Sequence, residues 1–189
     1  MIKQRDLLQI LAQQRQEQIV ITTMGSVGYW PEFSDSDKDF HYLPSSMGQA
    51  VPLGLGLCLA QPGVEVIVLM GDGSLLMNLG CLVTVAQFSV PLRIILVDNQ
   101  LYEVTGGQAV AHAGRTNYAL IAQGAGIPRV YTCTTLEQWQ QLSVEALQGP
   151  GPVFIWCLVE GERGRTTPAP PRSMTEQIHR LQKSLGIST

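Results

Sequence analysis

The sequence predicts an α/β fold, a three-layer sandwich with a mainly parallel central sheet. Short apolar and β-branched segments alternate with segments of helical period along the 189 residues, an order that is typical of parallel strands with helices between them. The segment 92–97 is almost continuously apolar, as expected of a central strand that is covered on both faces. Sheets of this kind bind ligands beyond the carboxyl ends of their strands, so a functional site is expected there.

The first 60 residues predict a helix, a strand, a loop and a second helix. Three leucines recur at helical spacing in the opening segment, and the β-branched run 19–23 predicts a strand that ends in a glycine turn. The segment 26–46 carries four acidic side chains and is predicted to be a solvated loop. The apolar stretch 49–60 predicts a buried helix, in which Gly54 and Gly56 would let a neighbouring element approach closely.

The rest of the chain continues this alternation. Strands are predicted at 64–70, 92–97, 129–133 and 153–159, and helices at 75–88, 118–124, 136–147 and 174–185. A loop rich in glycine and proline, 161–171, precedes the last helix. The sequence contains no internal repeat and its length suits one hydrophobic core, so we expect a single domain over residues 1–189.

Composition and charge exclude several classes of function. Hydrophobic residues make up 45% of the chain and charged residues 14%, which allows a full core. The formal net charge is -3, and no basic run could neutralise a phosphate backbone, so nucleic acid is not expected as a partner. No apolar stretch reaches the roughly 18 residues of a membrane span, and the polar opening residues differ from a signal peptide. We therefore expect a soluble cytoplasmic protein.

The cysteines and histidines do not form a metal motif. Cys58, Cys81, Cys133 and Cys157 lie far apart in apolar segments and are expected to be reduced core thiols. The three histidines are also scattered, so neither residue type offers ligands at the spacing of a metal site. A histidine could still face a substrate.

Two motifs that follow consecutive predicted strands indicate a metal-diphosphate site. Gly71-Asp72-Gly73-Ser74 closes one strand and opens a helix, whose first backbone N–H groups attract phosphate. Twenty-four residues, 74–97, separate this motif from Asp98-Asn99, and that interval holds one helix and one returning strand. The carboxylate of Asp72 and the amide oxygen of Asn99 would then face each other across one crevice.

Magnesium is the ion that these oxygen atoms suit. It prefers octahedral oxygen coordination and takes few protein ligands, with phosphate oxygens and water completing the shell. The predicted metal ligands are Asp72, Asn99 and the backbone carbonyl of Leu101. A side chain in place of Gly71 or Gly73 could crowd the phosphate. Each motif alone is typical of an ordinary turn, and their joint spacing is what favours the metal site.

On these motifs the chain resembles the thiamine diphosphate enzyme superfamily, whose signature is GDG, some two dozen residues, and then NN. The second element here is Asp98-Asn99, so an aspartate replaces the first asparagine, while Asn99, which matches the family's metal ligand, is retained. The resemblance extends from about Val20 to the last helix. It implies a diphosphate-binding domain of the thiamine diphosphate-binding fold, with thiamine diphosphate and magnesium as cofactors.

Two further loops resemble cofactor-binding segments of this superfamily. Met47 precedes Asp72 by 25 positions (72 minus 47), which matches the bulky residue that holds the cofactor bent, although a lone methionine is more often core filler. The segment 22–26 resembles the family's other diphosphate-contacting loop, and a simple glycine turn is the alternative. The expected cofactor-binding residues are Gly25, Ser26, Ser46, Met47, Gly48, Gly71, Asp72, Gly73, Ser74, Asn99, Leu101 and Tyr102.

The segments 98–108 and 164–168 are similar to stretches of sulfopyruvate and phosphonopyruvate decarboxylases; the first has the sequence DNQLYEVTGGQ. The resemblance covers only the diphosphate-binding domain. In the superfamily, a glutamate on a separate pyrimidine-binding domain activates the cofactor, and the sequence has no second α/β unit to carry it. The resemblance therefore implies one half of a split 2-oxo acid decarboxylase. Such a lyase would be active only with a partner chain that supplies that domain, in a hetero-oligomer or homo-oligomer.

The resemblance also suggests residues for the substrate side. Met47 and Glu103 are the predicted catalytic residues, and Thr105, Gln108 or His112 could line the same side. A glutamate or histidine in such a loop is more often solvated. The implied substrate is a small anionic 2-oxo acid such as sulfopyruvate or phosphonopyruvate.

Other functions stay open at this point. An acetolactate synthase-like carboligase would share Met47 and the metal site, and a noncatalytic protein could bind thiamine diphosphate without turnover. A ferredoxin-linked 2-oxo acid oxidoreductase subunit would usually carry clustered cysteines, which this sequence lacks. A nucleotide-binding module is not supported, because the G-x-x-x-x-G-K-[ST] loop and a strand-following G-x-G-x-x-G are both absent.

Overall fold

The computed structural model describes residues 1–43, 47–164, 166 and 168–187, and these form a sheet between two helical layers. The strands are β1 Ile19–Thr22, β2 Asp39–His41, β3 Val66–Gly71, β4 Leu92–Asp98, β5 Leu101–Tyr102, β6 Gln108–Ala109, β7 Arg129–Cys133 and β8 Val153–Leu158. The main sheet is parallel, in the order β2-β1-β3-β4-β8-β7. The short strands β5 and β6 pair separately as an antiparallel hairpin. The predicted α/β fold with a parallel central sheet is confirmed.

The helices cover both faces of this sheet. They are α1 Gln4–Gln14, α2 Met24–Val27, α3 Ala50–Ala60, α4 Asp72–Leu76, α5 Gly80–Ala86, α6 Tyr118–Gly124, α7 Leu136–Gln148 and α8 Met174–Ser184. One core joins the sheet to α3, α5, α6 and α8, and a second core joins its other face to α1 and α7. Within the described residues, no helix is both long and apolar enough to cross a membrane.

Alternation along the central strands explains why two cores form. In β3, Val66, Val68 and Met70 pack into the first core, whereas Ile67 and Leu69 pack into the second. Side chains of a strand point alternately to the two faces of the sheet. A strand that is apolar at every position is therefore stable only between two helical layers, and this places the central strands of the sheet.

Most predicted helices and strands lie within two residues of the observed ones, but two segments were predicted wrongly. The described part of the segment 26–46 is not a solvated loop, because it contains the edge strand β2 and the buried side chains of Trp30 and Asp39. The helix predicted at 75–88 is interrupted and forms α4 and α5. At the interruption Asn78 donates a side-chain hydrogen bond to the carbonyl of Gly48 at 3.0 Å.

The two glycines of α3 have different surroundings. A Cβ atom at Gly54 would lie 2.8 Å from Cγ2 of Val68, so the predicted close approach of a neighbour is confirmed there. A Cβ atom at Gly56 would meet none of the described atoms within 4 Å, and this position is exposed. The prediction of close packing is therefore wrong for Gly56.

Candidate functional site

A cleft lies beyond the carboxyl ends of β1, β3 and β4, with an empty volume of about 630 Å³ that includes open solvent. The chain leaves β1 to form the edge strand β2 and returns on the other side of β1 as β3. Loops that diverge in this way leave a crevice between them. The cleft is lined by Gln4, Thr23, Met24, Gly25, Ser26, Met47, Gly71, Asp72, Gly73, Ser74, Val97, Asn99, Leu101, Tyr102, Glu103, Val104 and Thr105.

Asp72 is a buried carboxylate at the start of α4, with only 1% of its surface exposed. Its Oδ2 atom is buried and accepts no hydrogen bond from any residue that the structure describes. Burial, and next the neighbouring carboxylate of Asp98, raise the pKa of Asp72 well above its ordinary value. A buried carboxylate in such surroundings remains ionised only if a cation reaches it.

Asp98 ends β4 and differs from Asp72 in its hydrogen bonds. Its Oδ1 accepts from the backbone N–H of Gln100 at 3.2 Å, and its Oδ2 accepts from the indole N–H of Trp156 at 2.8 Å. Asp98 is buried and is not among the residues that line the cleft. The aspartate that replaces the first asparagine of the signature therefore makes contacts within the chain.

Asn99 and Leu101 line the cleft from the loop after β4. The Oδ1 of Asn99 accepts a hydrogen bond from the N–H of Leu101 at 3.0 Å, which closes a tight turn. An amide oxygen has two lone pairs, so the same atom can also coordinate a cation. Because β3 and β4 are neighbours in the sheet, Asp72 and Asn99 lie at the same crevice, as their spacing predicted.

These residues fit a divalent metal ion that carries a diphosphate. None of the lining residues that the structure describes is Lys, Arg or His, so these described residues do not balance the charge of Asp72 or of a phosphate. A cluster of three His, Cys, Asp or Glu side chains is also absent from the described residues, and the four cysteines are free and buried, as predicted. A hard cation such as magnesium, bound by a few protein oxygens and by phosphate oxygens, suits this set of donors.

The two glycines that flank Asp72 lie in different surroundings, so glycine has a different role at each position. A Cβ atom at Gly73 would lie 2.5 Å from Cε1 of Tyr102 and 3.2 Å from Cγ1 of Val110. Glycine is thus required at position 73 by the ring of Tyr102, a contact that the sequence did not reveal. A Cβ atom at Gly71 would meet none of the described atoms within 4 Å, so the space beside Gly71 is open to a ligand.

Met47 and Gly48 join the cleft to α3. Met47 is half-buried and lines the cleft, and Gly48 is buried beside it with a φ of +84°. The N–H of Gly48 donates to Oγ of Ser74 at 2.9 Å, and a Cβ atom at Gly48 would lie 2.7 Å from Cβ of Asn78. Gly48 therefore holds two loops together rather than lining the cleft. Ser46, the neighbouring predicted cofactor residue, lies outside the described residues.

The predicted substrate-side residues are divided between the cleft and the surface. Glu103 and Thr105 line the cleft, whereas Gln108 and His112 are exposed and lie outside its lining. The Oε1 of Glu103 accepts a hydrogen bond from the backbone N–H of Glu162 at 2.7 Å. Glu103 is thus a buried acid that ties the loop after β8 to the cleft.

The cleft also contains residues that the sequence did not single out. Thr23 donates its hydroxyl proton to the carbonyl of Leu69 at 3.0 Å, and Gln4 reaches the cleft from α1. Thr23 belongs to the segment 22–26, which resembles a diphosphate-contacting loop, so the sequence does contain a signal for its place in the cleft. Gln4 offered none, because it belongs to a Gln-rich helix whose leucines account for its packing.

The sequence matches a family model described as "Thiamine pyrophosphate enzyme, C-terminal TPP binding domain" over residues 23–157. Sulfopyruvate decarboxylase subunit beta of Methanothermobacter thermautotrophicus is 41% identical over 121 residues, which cover 64% of this chain and 61% of that protein. Acetolactate synthase large subunit of Porphyra purpurea is 27% identical over 204 residues, which cover 100% of this chain and 34% of that protein. The chain thus spans about a third to three fifths of the length of these relatives.

Solved structures agree with this match at the level of the fold. The crystal structure of benzoylformate decarboxylase from Polynucleobacter necessarius superposes with a TM-score of 0.73 at 18% sequence identity, covering 85% of this chain and 34% of that one. The family model covers well over half of the chain and includes Asp72, Asn99 and the loops after β1, β3 and β4. The chain belongs to the thiamine pyrophosphate enzyme family and carries its C-terminal thiamine pyrophosphate-binding domain.

Proposed function

We propose that the cleft binds a magnesium ion together with thiamine diphosphate. Asp72, the side-chain oxygen of Asn99 and the carbonyl of Leu101 hold the ion. The observation that carries this proposal is the Oδ2 of Asp72, which is buried, has no hydrogen-bond partner among the described residues and can bind a cation that the described lining residues do not supply. The further proposed cofactor-binding residues are Gly25, Ser26, Ser46, Met47, Gly71, Gly73, Ser74 and Tyr102. Gly48 contributes only indirectly, by tying its loop to Ser74 and Asn78.

In this proposal the chain positions the cofactor for cleavage of a carbon–carbon bond. Bound thiamine diphosphate supplies the electron sink that decarboxylation of a 2-oxo acid requires. Met47 supports the cofactor by shape, because its side chain is apolar and lines the cleft. Glu103 lies on the substrate side as the second proposed catalytic residue, and its bond to Glu162 sets the position of its carboxylate.

We expect the complete active site to need a partner chain that carries the pyrimidine-binding domain and its glutamate. The adjacent helices α3 and α5 contain no charged residue, yet they belong to an outer layer of the fold. On this surface Leu59, Met77 and Val83 are 47%, 58% and 53% exposed. Helices that are apolar on all sides are normally buried, so this surface supports assembly with another subunit.

The proposed substrate is a small anionic 2-oxo acid, of the sulfopyruvate or phosphonopyruvate type. The similarity to a sulfopyruvate decarboxylase subunit and the sequence of 98–108 support this class. None of the described lining residues is basic, so the positive charge that recognises such a substrate must come from outside this set. The partner chain is the source that we expect.

Co-purification with the product of the neighbouring gene, followed by decarboxylation assays on a panel of 2-oxo acids, tests this function. The chain alone should have negligible activity, and the mixture should decarboxylate a substrate with a second anionic group faster than pyruvate. Turnover by the chain alone would overturn the split-enzyme proposal. Binding of thiamine diphosphate by the mixture without any decarboxylation would indicate a noncatalytic binding protein.

Carboligation is the second candidate function. It is favoured by the similarity to acetolactate synthase large subunit, which extends over the whole of this chain. The two reactions would use the same cofactor site and would differ in the product that is released. Product analysis with pyruvate as the substrate separates them, because a carboligase forms acetolactate and a decarboxylase releases an aldehyde.

A further inference from the structure

Gln4 contacts the proposed diphosphate-binding loop from a helix outside the matched family segment. It is the first residue of α1, 19 positions before the start of that match (23 minus 4). Its side chain is buried and lines the cleft, and its Nε2 donates a hydrogen bond to Oγ of Ser26 at 3.2 Å. The leucines of α1 face the core, so this amide is the polar contribution of the helix to the cleft.

The backbone on either side of Gln4 is held in place. The carbonyl of Ile2 accepts a hydrogen bond from the N–H of Glu160 at 2.9 Å. The indole N–H of Trp139 donates to the carbonyl of Leu7 at 3.1 Å. Gln4 lies between these two anchors, so the helix presents its side-chain amide to the cleft from a fixed position.

The direction of the hydrogen bond between Gln4 and Ser26 decides whether the serine hydroxyl can donate a hydrogen bond to a ligand. A hydroxyl group has one proton to donate and two lone pairs that accept, whereas an amide NH₂ group only donates. Ser26 therefore accepts from Gln4 and keeps its own proton. No described residue accepts that proton, and Ser26 is 3% exposed and lines the cleft.

We propose that Gln4 is a positioning residue that makes Ser26 a hydrogen-bond donor toward the cofactor's diphosphate. This inference rests on the proposed function, because the acceptor is a phosphate oxygen of the bound thiamine diphosphate. Gln4 occupies one lone pair of the Ser26 hydroxyl, so the hydroxyl proton does not point at Gln4 and can donate into the cleft. A hydrogen bond to a charged acceptor is stronger than one between neutral groups. The pair thus adds a neutral donor to a cleft whose described lining has no basic side chain.

Two nearly isosteric substitutions of Gln4 test the direction of the bond. Gln4→Met keeps the length but removes the donor, and Gln4→Glu replaces the donor by an acceptor that takes the Ser26 proton. Calorimetry on the full chain, with any partner that co-purifies, should show that affinity for thiamine diphosphate with magnesium falls a few-fold in Gln4→Met. It should fall about tenfold or more in Gln4→Glu. Gln9→Glu is the matched control, since Gln9 is exposed on the same helix.

A double-mutant cycle separates positioning from a general structural effect. If Gln4 acts through Ser26, Gln4→Met should cause no further loss of affinity in a chain that already carries Ser26→Ala. Affinity for thiamine, which has no phosphate, should be the same in all these variants. A loss that persists in the Ser26→Ala chain, or that affects thiamine equally, would overturn the positioning role.

The inference and the function on which it rests fail in different ways. No binding of thiamine diphosphate by the unmodified protein would overturn both. Normal binding by both the unmodified protein and Gln4→Glu would overturn only this inference. In Gln4→Glu the Ser26 proton is donated to residue 4, so normal affinity would show that the diphosphate does not need that proton. Equal losses in Gln4→Glu and Gln9→Glu would reduce the effect to added negative charge and would also overturn it.

Discussion

Two buried aspartates of this protein, Asp39 and Asp72, have opposite surroundings. Asp39 is 7% exposed and pairs with the guanidinium of Arg15 at 3.0 Å. Its carboxylate also accepts from Trp30 Nε1 at 3.0 Å, Ser34 Oγ at 2.6 Å and the N–H of Ser36 at 2.8 Å. Asp72 is more deeply buried, lies beside a second carboxylate and keeps one oxygen without a partner among the described residues.

The difference separates a structural charge from a binding charge. The chain neutralises Asp39 with its own cation and donors, so the carboxylate joins β2 to α1 and stabilises the fold. For Asp72 no described lining residue supplies a counter-charge; in the proposed function the bound metal ion supplies it. A buried acid that the chain leaves uncompensated is a candidate binding group for this reason.

The largest effect on stability is expected from Asp39→Ala. It leaves the guanidinium of Arg15, whose side chain is only 7% exposed, buried without its anion. Loss of one partner of a buried ion pair costs about 3–5 kcal/mol, which urea unfolding should detect. Asp37→Ala, at a pair with Arg180 on the surface, should cost less than about 1 kcal/mol. Equal effects of the two substitutions would contradict the structural role assigned to Asp39.

Asp72→Ala should instead affect binding and spare the fold. With magnesium present, affinity for thiamine diphosphate should fall at least about 100-fold, since even loss of an outer-sphere partner weakens metal sites 10–100-fold. Without metal, the urea midpoint should stay the same or rise, because an uncompensated buried carboxylate is removed. Asp37→Ala, which removes a surface carboxylate that pairs with Arg180, is the control, and affinity should stay unchanged. Unchanged affinity in Asp72→Ala would exclude Asp72 as a metal ligand.

Met47→Ala tests the part of the cleft that contributes shape rather than charge. In the complex with the partner chain, turnover should fall up to about 100-fold, since small misplacements of reacting groups have effects of this size. Cofactor affinity should fall only modestly, because Asp72 and the diphosphate loops are unchanged. Met47→Leu, which conserves volume and apolar character, should keep most of the activity. Normal turnover in the alanine variant would make Met47 a simple packing residue.

The smallest expected effect is a pH dependence of the protein's stability that comes from His41, which lies on β2 with Asp39. His41 is 2% exposed, and its Nδ1 forms a hydrogen bond of 2.9 Å with Oγ1 of Thr22. Burial is the largest cause that lowers the pKa of His41; Arg172 lowers it further, whereas Asp39 and Asp35 raise it. The unfolded chain therefore binds a proton more readily than the folded chain. Stability should be fully present at neutral pH and decline as the pH falls below about 6.5.

Urea unfolding at a series of pH values measures this dependence. His41→Gln should remove the decline that belongs to this group, whereas His179→Gln should leave it unchanged, because His179 is exposed on α8. A decline of the same size in the His41→Gln protein would assign the proton uptake to other groups.

The sequence reveals Asp72 but not the structural role of Asp39, because only Asp72 has a local sequence signal. Asp72 could be recognised because glycines flank it and a second polar motif follows one strand later in the sequence. The sequence predicts a solvated loop around Asp39, because its partner Arg15 lies 24 positions earlier (39 minus 15) and carries no local signal. The strand β2 has only three residues and exists through pairing with β1, a long-range contact. The interruption between α4 and α5, with its bond from Asn78 to Gly48, was equally invisible.

The sequence by itself determined the alternation of helices and strands, the parallel central sheet and the crevice shared by Asp72 and Asn99. These depend on the period of apolar residues and on the distance along the chain between two strand ends, which are local properties. Only the tertiary structure decided which carboxylate the chain neutralises, why Gly73 must lack a side chain beside Tyr102, and that Gln4 reaches Ser26. Those features depend on the meeting of side chains from separate elements, and no spacing along one segment encodes such a meeting.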